Sequence, residues 1–149
     1  MMKVRHFCLL LSAFCLSTAA LGADCTAISA LACGTTGASL SEADCTASDN
    51  SQYRMWQFSG KAGDSVTIEM HSTAFDTFLA LLDPAGMPVA DNDDSESGVT
   101  DSKITLTLTT TGTWTVVANS LAASQSGNYT LSLSCPSTAV TPRQRAARH

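Results

Sequence analysis

In four stretches of this chain, apolar residues recur at every second position. In SVTIEMH (65–71), Val66, Ile68 and Met70 share one side and Thr67, Glu69 and His71 the other. KITLTLTT (103–110) sets Ile104, Leu106 and Leu108 against Thr105, Thr107 and Thr109. TWTVVAN (113–119) aligns Trp114, Val116 and Ala118, and NYTLSLSC (128–135) aligns Tyr129, Leu131, Leu133 and Cys135. Successive side chains of an extended strand point to opposite faces, so this pattern buries one face and wets the other. Antiparallel sheets laid on a core are built this way. QYRMWQF (52–58) and DTFLALL (76–82) read as two more strands, and the second, apolar almost throughout, is expected in the middle of a sheet.

Turn-forming residues separate these segments at 60–64, 83–86, 111–112 and 126–128. No internal repeat is present. A helical period is also missing, and Ile28 to Cys33 has room for one helical turn at most. Six or seven short strands and their turns predict an all-β fold: an antiparallel β-sandwich of two sheets.

The first residues read differently. Lys3 and Arg5 precede an apolar run from Phe7 to Leu16, followed by small residues and an Ala20-x-Gly22 step. This is the layout of a secretory signal peptide, expected over residues 1–23. The apolar run is shorter than the roughly 20 residues that span a bilayer. Asp24 before Cys25 and Phe14 before Cys15 do not suit a lipid-modified cysteine. The sandwich is then expected over 24–136, and a mobile basic tail over 137–149, where Pro142 interrupts a segment without apolar periodicity.

Beyond the signal, six basic residues face thirteen acidic ones. Three of the six, Arg143, Arg145 and Arg148, lie in the tail, so the body is strongly negative. Such a body repels phosphate backbones and anionic lipid, which excludes nucleic acid and membrane as main partners. Four cysteines remain: Cys25, Cys33, Cys45 and Cys135. In an exported chain they read as two disulfides, with three pairings open. The favoured arrangement is a local Cys25–Cys33 clip and a Cys45–Cys135 link between the ends. Zinc is disfavoured, because no CxxC pair is present.

Residues 90–104, ADNDDSESGVTDSKI, concentrate five carboxylates: Asp91, Asp93, Asp94, Glu96 and Asp101. Two unit charges about 6 Å apart cost roughly 0.7 kcal/mol in water and about 3 kcal/mol at an effective dielectric near 20. A bound Ca2+, which takes about six to eight oxygens and tolerates irregular loops, would convert that repulsion into coordination. The candidate ligands are Asp76, Asp91, Asp93, Asp94 and Asp101. The competing reading is a wet turn, because Asp, Asn, Ser and Gly also cap and bend loops. An EF-hand does not fit: counted from Asp91, the sixth position is Glu96 instead of Gly and the twelfth is Ser102 instead of Glu.

Catalytic signatures are sparse. GxSxG and HExxH are absent, and CGTTGAS (33–39) lacks the Lys of a phosphate loop. His71 lies on the polar side of its strand and gives weak support to a small hydrolase with an unrecognised site. Trp56 and Trp114 are in phase with apolar neighbours and read as core. Tyr53 and Met55, out of phase with Trp56 and Phe58, are better surface candidates.

The ordered string of segments resembles the bacterial pre-peptidase C-terminal domain. Its pattern is present as Gly37 to Leu40, Trp56 to Gly60, Ala62 to Ile68, Phe75 to Leu81, Asp83 to Gly86, Asn92 to Asp94, Ser102 to Ile104, Thr111 to Trp114 and Gly127 to Leu131. The resemblance implies a jelly-roll-like sandwich and a non-catalytic accessory role beside exported peptidases. It also implies calcium binding, or recognition of an extracellular polymer or protein. Read this way, the domain stands alone behind its signal peptide, with no peptidase domain before it. A secretion or folding aid for a separately encoded protease is then an alternative role.

Overall fold

A computed structural model describes residues 25–136 except Ser97; the expected signal peptide and basic tail lie outside the described residues. The described chain forms ten strands: β1 (Ile28–Ala30), β2 (Gly34–Leu40), β3 (Cys45–Thr46), β4 (Gln52–Gly60), β5 (Ser65–His71), β6 (Thr77–Leu82), β7 (Pro88–Asn92), β8 (Ser102–Thr107), β9 (Gly112–Ser120) and β10 (Gly127–Ser134). One sheet runs β1-β4-β9-β6-β7 with β3 also on β4, and the other runs β2-β10-β5-β8. The two sheets make the expected all-β sandwich. β6 lies between β9 and β7, inside its sheet as its apolar sequence required.

The alternating stripes face inward. Ile68, Met70, Leu79, Leu81, Trp114, Val116, Ala118 and Leu131 are fully buried. Each large apolar side chain removed from water in this way contributes on the order of 1.5–3 kcal/mol. Leu106 is only partly buried against this core, and Leu108, just past the end of β8, is buried in its stead. Polar ties join the sheets across the core. The Trp56 indole N–H on β4 donates to the Tyr129 hydroxyl on β10 at 3.1 Å. The Thr77 and Ser102 hydroxyls meet at 2.6 Å, and the Thr77 amide donates to the Thr100 carbonyl at 3.0 Å.

Ile28 to Cys33 does not form a helical turn. Ile28–Ala30 pairs in parallel with β4, and the Leu31 amide donates to the Gln57 carbonyl at 2.7 Å, which seats Leu31 in the core. A neighbouring strand edge satisfies these backbone groups better than one isolated turn would.

The cysteine pairing also differs from the favoured one. Cys33 is bonded to Cys135, with Cα atoms 5.7 Å apart. Strand register is the cause: β2 and β10 align with Gly34 opposite Leu133, so the residues flanking those ends meet. Cys45 cannot reach Cys135, because it pairs with Tyr53 in the other sheet. Its thiol instead contacts that of Cys25, and burial, then this contact, push Cys45 up to about 11. Cys45 is thereby a poor nucleophile at neutral pH, and the adjacent Cys25 is the thiol it can be bridged to. Refolding in a glutathione redox buffer should close Cys25–Cys45 beside Cys33–Cys135, as read by non-reducing peptide mapping. Recovery of Cys25–Cys33 or Cys45–Cys135 peptides would contradict this register.

Candidate functional site

The acidic loop between β7 and β8 lies at one end of the sandwich, anchored by its own polar groups. The Asn92 side-chain oxygen accepts from the Lys103 amide at 2.9 Å, and its amide group donates to the Asp94 carbonyl at 3.0 Å. The Ser102 hydroxyl donates to the Asp93 carbonyl at 3.0 Å, and the Ser95 amide donates to the Asp101 carbonyl at 2.6 Å. Asp93 accepts from the Asp94 amide at 3.0 Å, so part of this loop is the turn chemistry that its composition also allowed.

The five candidate ligands do not stay together. Asp91 sits exposed on β7 opposite Ala80. Asp101 is bound to His71, whose Nδ1 lies 2.7 Å from its carboxylate. Asp76, immediately before β6, remains with Asp93 and Asp94. Its Oδ1 is sealed from solvent and meets no hydrogen-bond donor. Burial first, then the charges of Asp94 and Asp93, raise the Asp76 carboxyl above its ordinary value. Among the described residues, no three His, Cys, Asp or Glu side chains are gathered tightly enough to hold a metal as they stand.

His71 and Asp101 form an imidazole–carboxylate pair beside Glu69 and Lys103, which are bridged at 2.8 Å. Ser95, Ser102 and Ser132 border the same depression. Two of these hydroxyls are engaged elsewhere: Ser102 with Thr77 and Asp93, and Ser132 with Thr35 at 2.9 Å. The orienting half of a hydrolytic triad is present, but no serine is bonded to the imidazole among the described residues.

The two tryptophans are core, as expected, with Trp56 at 6% exposure and Trp114 at 0%. Arg54 lies over the Trp56 ring at 5.9 Å and reaches Asp44 at 3.4 Å. The outer faces of the two sheets differ sharply in chemistry. The β2-β10-β5-β8 sheet presents rows of hydroxyls, with Thr67 and Thr105 joined at 3.1 Å. The other sheet presents Tyr53, Met55, Phe78, Ala80, Leu82 and Val117, all half-buried.

Fold and surface together define a small disulfide-bonded β-sandwich whose chemistry lies on its outer faces and at one acidic end. Residues 52–120 match the sequence profile of the bacterial pre-peptidase C-terminal domain. In fold it is similar to the pre-peptidase C-terminal domain of collagenase from Bacillus anthracis. That likeness has a TM-score of 0.53 at 12% identity and covers 72% of this chain and 94% of that one. It is also similar to PliG of Aeromonas hydrophila, a periplasmic inhibitor of g-type lysozyme. Here the TM-score is 0.51 at 11% identity, over 73% of this chain and 96% of that one. No curated protein matches the sequence significantly.

Several residues of the family pattern prove to be structural. Asp83 accepts from the Ala85 and Met87 amides, both at 2.9 Å, and so closes the β6–β7 turn. Gly112 faces the Pro84 ring, where a Cβ would come within 2.8 Å of the proline side chain. The sequence reading missed the anchoring roles of Asn92, Thr77 and Ser102, whose residue types also suit any wet turn.

Because the raised Asp76 carboxyl is harder to ionise in the folded chain, its charge opposes folding above about pH 4 and stops doing so below it. Asp76→Asn in metal-free protein should therefore melt higher than the parent at pH 7. The gain should shrink as the pH falls through the ordinary carboxylate range, as read by thermal denaturation.

Proposed function

We propose that this protein is an exported, non-catalytic accessory module that binds a protein outside the cytoplasm and is stiffened by Ca2+ at its acidic end. The observation that carries the reading is the family match over residues 52–120. Domains of this family accompany exported peptidases without performing their chemistry. The Cys33–Cys135 bridge and the leader-like first residues support export to an oxidising compartment. A collagenase domain and a lysozyme inhibitor among the fold neighbours favour a protein partner over a polymer.

The metal part of the reading narrows the ligand set to Asp76, Asp93 and Asp94. An unpartnered, sealed carboxylate oxygen beside two further carboxylates is a costly arrangement in bare protein. A hard dication would supply the missing partner, with backbone carbonyls and water completing its shell. The rival hydrolase reading has its His71–Asp101 pair but no nucleophile bonded to it, and so ranks second.

Calorimetric titration of Ca2+ into chelator-treated protein should show a single site. Calcium at about 100 times its dissociation constant should stabilise the fold by about 2.7 kcal/mol. Asp76→Asn should abolish the heat and the stabilisation together. Absence of heat and an unchanged melting temperature in the parent protein would contradict calcium binding.

A further inference from the structure

The β6–β7 hairpin combines two properties rarely left together on a surface. Phe78, Ala80 and Leu82 alternate outward from β6, and Val89 and Met87 stand 43% and 61% exposed on β7 and its turn. Contiguous apolar surface of this kind marks contact sites. Val117 and Met55 extend it across β9 and β4, in register with Ala80.

The charge around it is of one sign. From residue 72 to 101 the chain has seven acidic residues and no Lys or Arg. Asp91 lies within the face, opposite Ala80, while Asp83 borders one end and Asp76, Asp93 and Asp94 the other. Two of the basic residues elsewhere in the body, Arg54 and Lys103, are already paired with Asp44 and Glu69. A second copy would bring the same negative rim against itself, which disfavours self-association. The backbone edge of β7 is also poorly suited to adding a strand, being short and carrying Pro88 and Asp91. The hairpin's outer face is the surface left for a partner of opposite charge.

We propose that the outer face of the β6–β7 hairpin, centred on Phe78, Leu82 and Val89, docks a basic protein segment that carries apolar side chains between its Lys or Arg residues. Apolar contact supplies the adhesion, and the acidic rim steers the encounter and selects the sign of the partner. The inference rests on the reading of the chain as a protein-binding module and assigns that binding to one face.

The test titrates a short synthetic peptide of alternating arginine and leucine into the full exported chain and follows backbone amide shifts by NMR. A glutamate–leucine peptide serves as control. Shifts should concentrate on β6, β7 and the adjoining part of β9, and the control should give none. Val89→Ser combined with Asp91→Lys, both at the surface, should weaken binding at least about tenfold while leaving the melting curve unchanged. Shifts on the hydroxyl-bearing sheet, or equal shifts from the control, would overturn the assignment and leave the protein-binding reading standing. Binding that emerges only when Arg143, Arg145 and Arg148 are all changed to Gln would also overturn it, by making the chain's own tail the occupant. Absence of shifts with either peptide, together with no cross-linking to any exported protein, would overturn both the assignment and the reading.

Discussion

Two apolar faces closed against each other are the constraint on which the rest of this domain depends. Ile68, Leu131 and Leu133 from one sheet and Leu79, Leu81, Trp114 and Val116 from the other have almost no contact with water. Burial has no direction of its own, so direction comes from the polar groups set into the core. The Trp56–Tyr129 bond ties β4 to β10, and the Thr77–Ser102 bond ties β6 to β8. Buried polar partners are costly to separate, so they fix which residues face which. Cys33–Cys135 then closes β2 onto β10 at the edge.

The register set by this core assembles the acidic end. Asp76 enters it because Thr77 must reach Thr100 and Ser102, which brings the β5–β6 connection against the β7–β8 loop. The raised Asp76 carboxyl is therefore a by-product of core geometry. The same sheet order leaves the two outer faces chemically unlike. Hydroxyls cover the sheet holding β10, and apolar groups remain open on the sheet holding β6.

Much of this was legible in the sequence, for a physical reason. Where one face is buried, period two is enforced residue by residue, so β5, β8, β9 and β10 announce themselves. The inward Trp56 and Trp114 follow from the same phase. β2 is silent because GTTGASL carries one large apolar residue, and it forms on the edge that β10 offers. β7 is masked by Pro88 and Asp91, residues that suit an edge and depress strand signals. Disulfide partners depend on register across a sheet, a long-range property that cysteine spacing does not encode; Cys33 and Cys135 are 102 residues apart. The five candidate ligands were gathered by composition, which cannot reveal that His71 claims Asp101. The open apolar face of β6 was half legible: DTFLALL was read as interior, and only one of its two faces is covered.

The central claim is that period-two stripes close two sheets over one interior, and methyl NOE spectroscopy on the folded protein tests it most directly. The account predicts cross-peaks linking the methyls of Ile68, Leu131 and Leu133 to those of Leu79, Leu81 and Val116. Methyls that show contacts within their own sheet alone, and that respond to a soluble paramagnetic agent, would contradict it.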